Sequence, residues 1–466
     1  MGMEQMRRRG IRPLMGLAVA SMIGLIVACG ATLIPVWIAD LGESQYHNYL
    51  YSGEDGETTY LVSVGYWAGR LQVTKLDGDG QVAGEWALVS TELDRYTGGR
   101  LIPLGQDRAM LVGYQPHQLL LLDPAAGRIE LGLKGLQLAA DERLRIHNAH
   151  LTDGGHLVFS GTLFTGESGE EVRAAASGSF DQERNLLEMH VNRDLNVNNP
   201  LYDAEHNRYV AALEVEVGEE GEEEVHTLLQ ILDQRLVVQS QQVLPHWFRP
   251  VTIIHGFVLG ATGTNRGLAI ALDGSAAYPA NIDYSADRFP VEDGYYEVST
   301  GYNNGTVVDA CFYDRQFVQQ WCRQAAPPNR RLYLRSLRLT ERGELAFTTD
   351  TRAERVMGLV LSAEELTDAI QAGVQVRGEV RQTVTHYVYN QSGRQVVRFT
   401  EPEYFYRGPM RFCSIFEFCI EAEEITPGVC SASTALYRRG NQMISAAGYC
   451  DDASGNWDRR VSLWQW

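Results

Sequence analysis

The chain has 466 residues, of which 44% are hydrophobic and 21% charged, with 46 Gly and 15 Pro. That composition excludes a mainly disordered chain, a collagen and a protein of many membrane spans. The formal charge of -19 excludes a non-specific nucleic-acid binder, which needs positive surface to displace counterions from phosphates.

At the N-terminus, Arg7, Arg8, Arg9 and Arg12 precede Leu14 to Ala28, an uncharged and mostly apolar run of 15 residues. A basic start followed by a run of that length is the pattern of an export signal. The run ends at Ile26-Val27-Ala28-Cys29-Gly30. This junction resembles the lipobox of bacterial lipoproteins, and the resemblance covers the first 29 residues. It implies removal of residues 1–28, lipid on Cys29, and a place on the periplasmic or cell-surface side of a bacterial membrane. The apolar run continues past Cys29, however, and the first acid is Asp40. Residues 13–39 therefore suffice for an uncleaved membrane anchor, which needs only about 20 residues, with the arginines on the cytoplasmic side. A fully released protein is a third outcome. Residues 40–54 read as a short tether in front of the folded body.

From about residue 55 to 466 the chain reads as short strands and turns. Runs rich in Val, Leu, Tyr and Thr are punctuated by Gly, Asp and Asn. Only residues 362–370 look helical, with Ser362 as N-cap and Glu365 completing a capping box. One pattern recurs: an apolar strand, an Asp, a short turn and a second strand. The aspartates are Asp77, Asp123, Asp181, Asp233, Asp273 and Asp314, 40–58 residues apart. A loose repeat of about 40–50 residues, each holding several strands, is the signature of a β-propeller. The expected fold is all-β: seven or eight four-stranded blades, eight favoured. The closing strand would come from near the start of the chain, with Tyr46 to Tyr51 and Tyr60 to Tyr66 as candidates. A Cys-rich last blade or appendix is expected at about 377–466.

The seven cysteines agree with export. Without Cys29 six remain, Cys311, Cys322, Cys413, Cys419, Cys430 and Cys450, all in the last third. An oxidising compartment allows them to pair, and nearest-neighbour pairing is the simplest scheme. Cys311 and Cys322 flank a hairpin that would set their sulfurs face to face. Buried free thiols are the alternative.

Candidate sites are sparse. The repeated aspartates fit turn chemistry, since Asp bonds to its own turn. Asp451, Asp452 and Asp458 form an oxygen-rich loop and are weak metal candidates. His147, His150 and His156 lie near Asp153, but alternation in a strand points His147 and His150 to opposite faces. Glu214 to Glu224 reads as a hairpin with a solvated acidic tip. No sialidase box, quinone-type Trp repeat, HExxH, GxSxG or P-loop occurs, and nothing signals a cofactor. In lipobox and repeats the chain resembles the lipoprotein propellers of bacterial outer membranes, of the BamB type and WD40-like, whose role implies a tethered, non-catalytic scaffold for another envelope protein or a polymer. The other class is an exported hydrolase or lyase with its site in the central channel.

Overall fold

The aspartate hairpins are the third and fourth strands of successive antiparallel sheets. In the computed structural model the described residues are 35–465, apart from 44–46, 66–68, 94–98, 167–170, 196–199, 218–223, 263–266, 281, 284–285, 301–307, 325–330, 358–361, 415–416, 439–441 and 453–457. Cys29, the signal segment and most of the anchor alternative lie outside them. Among the described residues the strands form eight sheets, all antiparallel within themselves and consistent with a propeller. Six are four-stranded meanders in chain order. The first runs through His47–Ser52, Thr59–Val64, Arg70–Leu76 and Val82–Val89. The sixth runs through Asp287–Val291, Gly294–Thr300, Val308–Asp314 and Gln319–Gln324.

Apolar burial explains the strand sequences. Leu119–Asp123 of the second sheet begins with four leucines because both of its faces are covered. Leu120 and Leu122 pack toward Tyr60 and Val62 of the first sheet. Leu119 and Leu121 pack toward Leu157 and Phe159 of the third. A strand buried on two sides has no reason to alternate.

The turn chemistry is as expected. Asp77 Oδ1 accepts from the Asp79 and Gln81 amides at 3.0 and 2.8 Å. Asp233 accepts from Arg235 and Val237, and Asp314 from Gln316 and Val318. The residue three beyond the Asp has positive φ: Gly80, Arg184, Leu236 and Phe317. In the seventh sheet Asn390 takes the same part, accepting from the Arg394 amide at 2.9 Å, with Gly393 at positive φ.

The seventh sheet carries the insertion. Its second and third strands, Leu345–Met357 and Arg377–Tyr389, are 13 residues each. Between them lies helix Ala363–Gln371 with the expected Ser362–Glu365 capping box. The long third strand pairs with Gln395–Thr400 along one half and with Tyr404–Ser414 along the other. Glu417–Ile420 and Glu424–Thr426 then add to Tyr404–Ser414. The extra strands thus belong to the seventh sheet, not to a last blade or separate appendix.

The eighth sheet joins the two ends of the chain. Gly428–Arg438, Gln442–Cys450 and Asp458–Gln465 supply three strands, and Trp37–Glu43 supplies the fourth. Trp37 lies opposite Leu463 and Ala39 opposite Val461. This corrects three expectations. The closing strand is Trp37–Glu43, whereas Tyr46 to Tyr51 and Tyr60 to Tyr66 fall largely in the first two strands of the first sheet. Within 40–54, residues 40–43 and 47–52 lie in two strands rather than in a tether. Residues 37–39, the end of the 13–39 anchor alternative, belong to a sheet. The physical reason is burial: Ala39, Leu50, Leu61, Leu76, Ile444, Ala446, Val461 and Leu463 share one core cluster.

A repeated clasp joins the sheets. Trp86, on the fourth strand of the first sheet, approaches Gly127 in the turn of the second. Trp321 of the sixth lies against Gly393 of the seventh and donates to Gln391 O at 2.7 Å. Trp37 lies against Gly80 and donates to Gly78 O at 2.9 Å. The contact between the eighth sheet and the first is therefore built like the contacts between consecutive sheets. Arg459, buried, reinforces it by donating to Leu41 O, Ser63 Oγ and Gln72 Oε1 at 2.9, 3.1 and 3.3 Å.

Candidate functional site: the central cavity and the two faces

The first strand of every one of the eight sheets contributes to a single cavity of about 1430 Å³. Asn48, Arg100, His150, Tyr202, Ile253, Asp287, Arg338 and Thr434 represent the eight in turn. Each first strand is a sheet edge, paired on one side only, and polar and apolar side chains share the wall.

Several charged groups on this wall are already committed. Asp203 is held by His206 Nδ1 and Arg208 Nε, both at 2.9 Å. Arg288 is buried against Glu297 at 2.7 Å and also donates to Asp283 O at 2.8 Å. Burial pushes the Glu297 carboxyl up, against the pull of Arg288. Burial likewise raises Asp287, and Arg288 offsets part of this. His150 packs against Tyr202, with ring centres 5.2 Å apart and the rings tilted by 34°. Burial, then the nearby Arg100 guanidinium, pushes its pKa down to about 4, so the ring is neutral at pH 7.

The histidines do not meet. His147 Nε2 lies 2.9 Å from Thr162 Oγ1, His150 faces the cavity, and His156 is exposed on the turn. A bulge between Ile146 and Asn148 interrupts the register between them. Of the oxygen-rich loop, whose residues 453–457 lie outside the described part, Asp458 begins a strand opposite Tyr449, and Asp452 O accepts from the Tyr404 hydroxyl. Among the described residues no group of three His, Cys, Asp or Glu could hold a metal. Cys311 and Cys322 lie directly opposite in adjacent strands and form a disulfide. Cys430 and Cys450 form a second. Cys419 is also disulfide-bonded, and Cys413 lies where side chains fall outside the described part.

The two ends of the sheets differ. In each four-stranded meander the first-to-second and third-to-fourth turns lie at one end, and the second-to-third connections at the other. The bond from Trp37 to Gly78 O, in a third-to-fourth turn, places the entry of the chain on the turn face. The long hairpin of the seventh sheet, with its helix, is a second-to-third connection. So is the Glu214–Glu224 hairpin of the fourth sheet, whose residues 218–223 lie outside the described part. Both segments stand out in the sequence, but their shared face does not, because the face follows from the strand order. Among the described residues no helix is long and apolar enough to cross a membrane.

No family model and no curated protein matches the chain. It is similar to the solved structure of Saccharomyces cerevisiae Sqt1, at 9% identity and a TM-score of 0.43, over 93% of this chain and 99% of that one. Chaetomium thermophilum Sqt1 is similar at 8% identity and a TM-score of 0.44, over the same shares. Pyrococcus horikoshii acylaminoacyl peptidase is similar at 9% identity and a TM-score of 0.38, over 75% of this chain and 59% of that one. The functional reading of this chain therefore rests on its own residues.

Proposed function

We propose that the protein is a non-catalytic, membrane-tethered binding scaffold of the bacterial envelope, an eight-bladed β-propeller that engages another envelope protein or a surface polymer on one face. One observation carries this reading: the chain enters on the turn face, while the long hairpins extend the opposite face. If Cys29 carries lipid, six residue steps lead from it to Pro35. At about 3.3–3.6 Å per residue they reach at most about 20 Å. The turn face then lies against the bilayer, and the hairpin face points away from it. The two disulfides fit an oxidising, exported setting. Of the apolar residues after Cys29, Trp37 and Ala39 acquire a reason, since they belong to the closing strand and its core cluster.

In-cell photocrosslinking tests this. A photoreactive residue replacing Glu364, exposed on the helix of the long hairpin, should give discrete adducts. The same residue replacing Asp79, exposed in a turn of the entry face, should not. Adducts from position 79 with none from 364 would reverse the assignment.

A further inference from the structure

One outermost strand is left undefended. Val238–Leu244, the fourth strand of the fourth sheet, reads Val-Gln-Ser-Gln-Gln-Val-Leu, and all of it before Leu244 is exposed. It pairs with Glu224–Leu232 on one side, in unbroken register from Ser240 to Leu244, and ends the sheet on the other. Among the described residues no main-chain hydrogen bond reaches its outer side. A bare strand edge offers its N–H and C=O groups to another chain, and proteins guard such edges with charge, proline or a cover. The other sheets are guarded. Glu85, Arg128, Glu188, Arg323 and Asp40 stand in the outermost strands of the first, second, third, sixth and eighth. That of the fifth is short and includes Pro279, and Gln395–Thr400 of the seventh carries Arg398. Val238–Leu244 has neither charge nor proline.

The charge pattern says what fits this edge. The formal charge is -19, so two copies of the chain repel over most of their surface and can approach where charge is absent. The strip is also self-complementary. In an antiparallel pairing about a two-fold axis at Gln241, that residue faces its own copy, Ser240 faces Gln242, Gln239 faces Val243 and Val238 faces Leu244. The whole strand is used, and no like charges meet. The acidic hairpin of the same sheet does not oppose this. Glu214 lies opposite Thr227, and Thr227 opposite Leu244, so the acids begin level with the Leu244 end. Antiparallel pairing sends the two Leu244 ends about 20 Å apart at roughly 3.3 Å per residue, well beyond the Debye length of about 8 Å at physiological salt.

We propose that Val238–Leu244 is a self-association edge, through which two copies of the chain join antiparallel into one continuous sheet. The joint is independent of what the hairpin face engages. One strand per copy makes a small contact beside stable interfaces of about 1,200–2,000 Å², so the dimer is weak and its share grows with concentration. An extended segment of a different protein is the rival occupant.

The test is sedimentation velocity of the full-length protein in detergent over a concentration series. Wild type should pass from monomer toward dimer as concentration rises. A chain carrying Ser240→Lys and Gln242→Lys sets like charges face to face in two symmetry-related pairs, which should weaken the dimer about tenfold or more. A chain carrying Ser240→Glu and Gln242→Glu should be weakened similarly. Both positions are exposed, so the circular dichroism and Tm of each variant should match wild type. Mixed one to one, the two variants should regain the dimer, because Lys then faces Glu in every pair. Variants that dimerise as well as wild type, or a mixture that stays monomeric, overturn the proposal. A wild-type monomer throughout the series overturns it too and leaves the edge to a different protein.

Discussion

Truncation after Arg459 should unfold the whole ring rather than fray one sheet. The cut removes Val461, Leu463 and Trp464, whose relative exposures are 0%, 5% and 2%. Burial of each such side chain is worth about 1.5–3 kcal/mol, which sums to roughly 5–9 kcal/mol for the three. The cut also removes the partner of Trp37–Glu43 and opens the cluster holding Leu50, Leu61 and Leu76 of the first sheet. Domains of ordinary stability have about 5–15 kcal/mol in hand, so the loss is comparable with the total. Deleting residues 1–43 attacks the same seam from the other end and should have a similar effect. Far-UV circular dichroism during urea titration is the assay. Both truncated chains should show a midpoint shifted far below wild type, or no folded baseline. An unchanged midpoint with slightly reduced amplitude would show that the eighth sheet is an independent appendage and would refute closure of the ring.

Smaller changes probe the parts. Trp37→Ala removes the hydrogen bond to Gly78 O and the contact with Gly80. It should cost about 2–4 kcal/mol, and a value matched by Trp321→Ala would support an equivalent clasp at both junctions. Cys311→Ser with Cys322→Ser should lower stability by about 2–3 kcal/mol, because the closed loop is short; non-reducing peptide mapping should recover Cys311–Cys322 and Cys430–Cys450, with Cys413–Cys419 expected by nearest-neighbour pairing. His150 has a folded pKa near 4 against an ordinary 6.5. Its neutral form is the one the fold accepts, so its contribution is intact above pH 6.5 and lost as pH falls through 4. The loss is at most about 3 kcal/mol, and His150→Gln should flatten that part of the stability–pH curve. A curve identical to wild type would refute the burial of the ring.

The repeat was legible because its punctuation is local. Asp77, Asp181, Asp233 and Asp314 bond to amides two and four residues on, and such turns leave a signature in one short stretch. Asn390 plays the same part with a different residue. A pattern built on aspartate misses it, and the lengthened second and third strands hide the period. The pairing of Cys311 with Cys322 was legible for the same reason, since a hairpin register is set by neighbours in sequence. Non-local features were not. The role of Trp37–Glu43 depends on Asp458–Gln465, more than 400 residues away, and its apolar sequence reads equally well as the end of a membrane segment. Arg338 and Thr434 are 96 residues apart, and only the docking of two sheets brings them to one wall. The Trp clasp was likewise invisible, because Trp37, Trp86 and Trp321 follow no fixed spacing and each needs a glycine from the next sheet.

The proposed tethering by the turn face requires one fixed orientation on the membrane, and that orientation is measurable. Nitroxide labels on Asp79→Cys and Glu364→Cys, with the full chain reconstituted through its N-terminus into vesicles, would report distance from the bilayer by relaxation enhancement from headgroup-bound paramagnetic ions. Strong enhancement is expected at position 79, on the entry face, and weak enhancement at position 364, on the hairpin face. Equal enhancement, or a stronger effect at 364, would contradict a ring whose turn face meets the bilayer and whose binding face is turned outward.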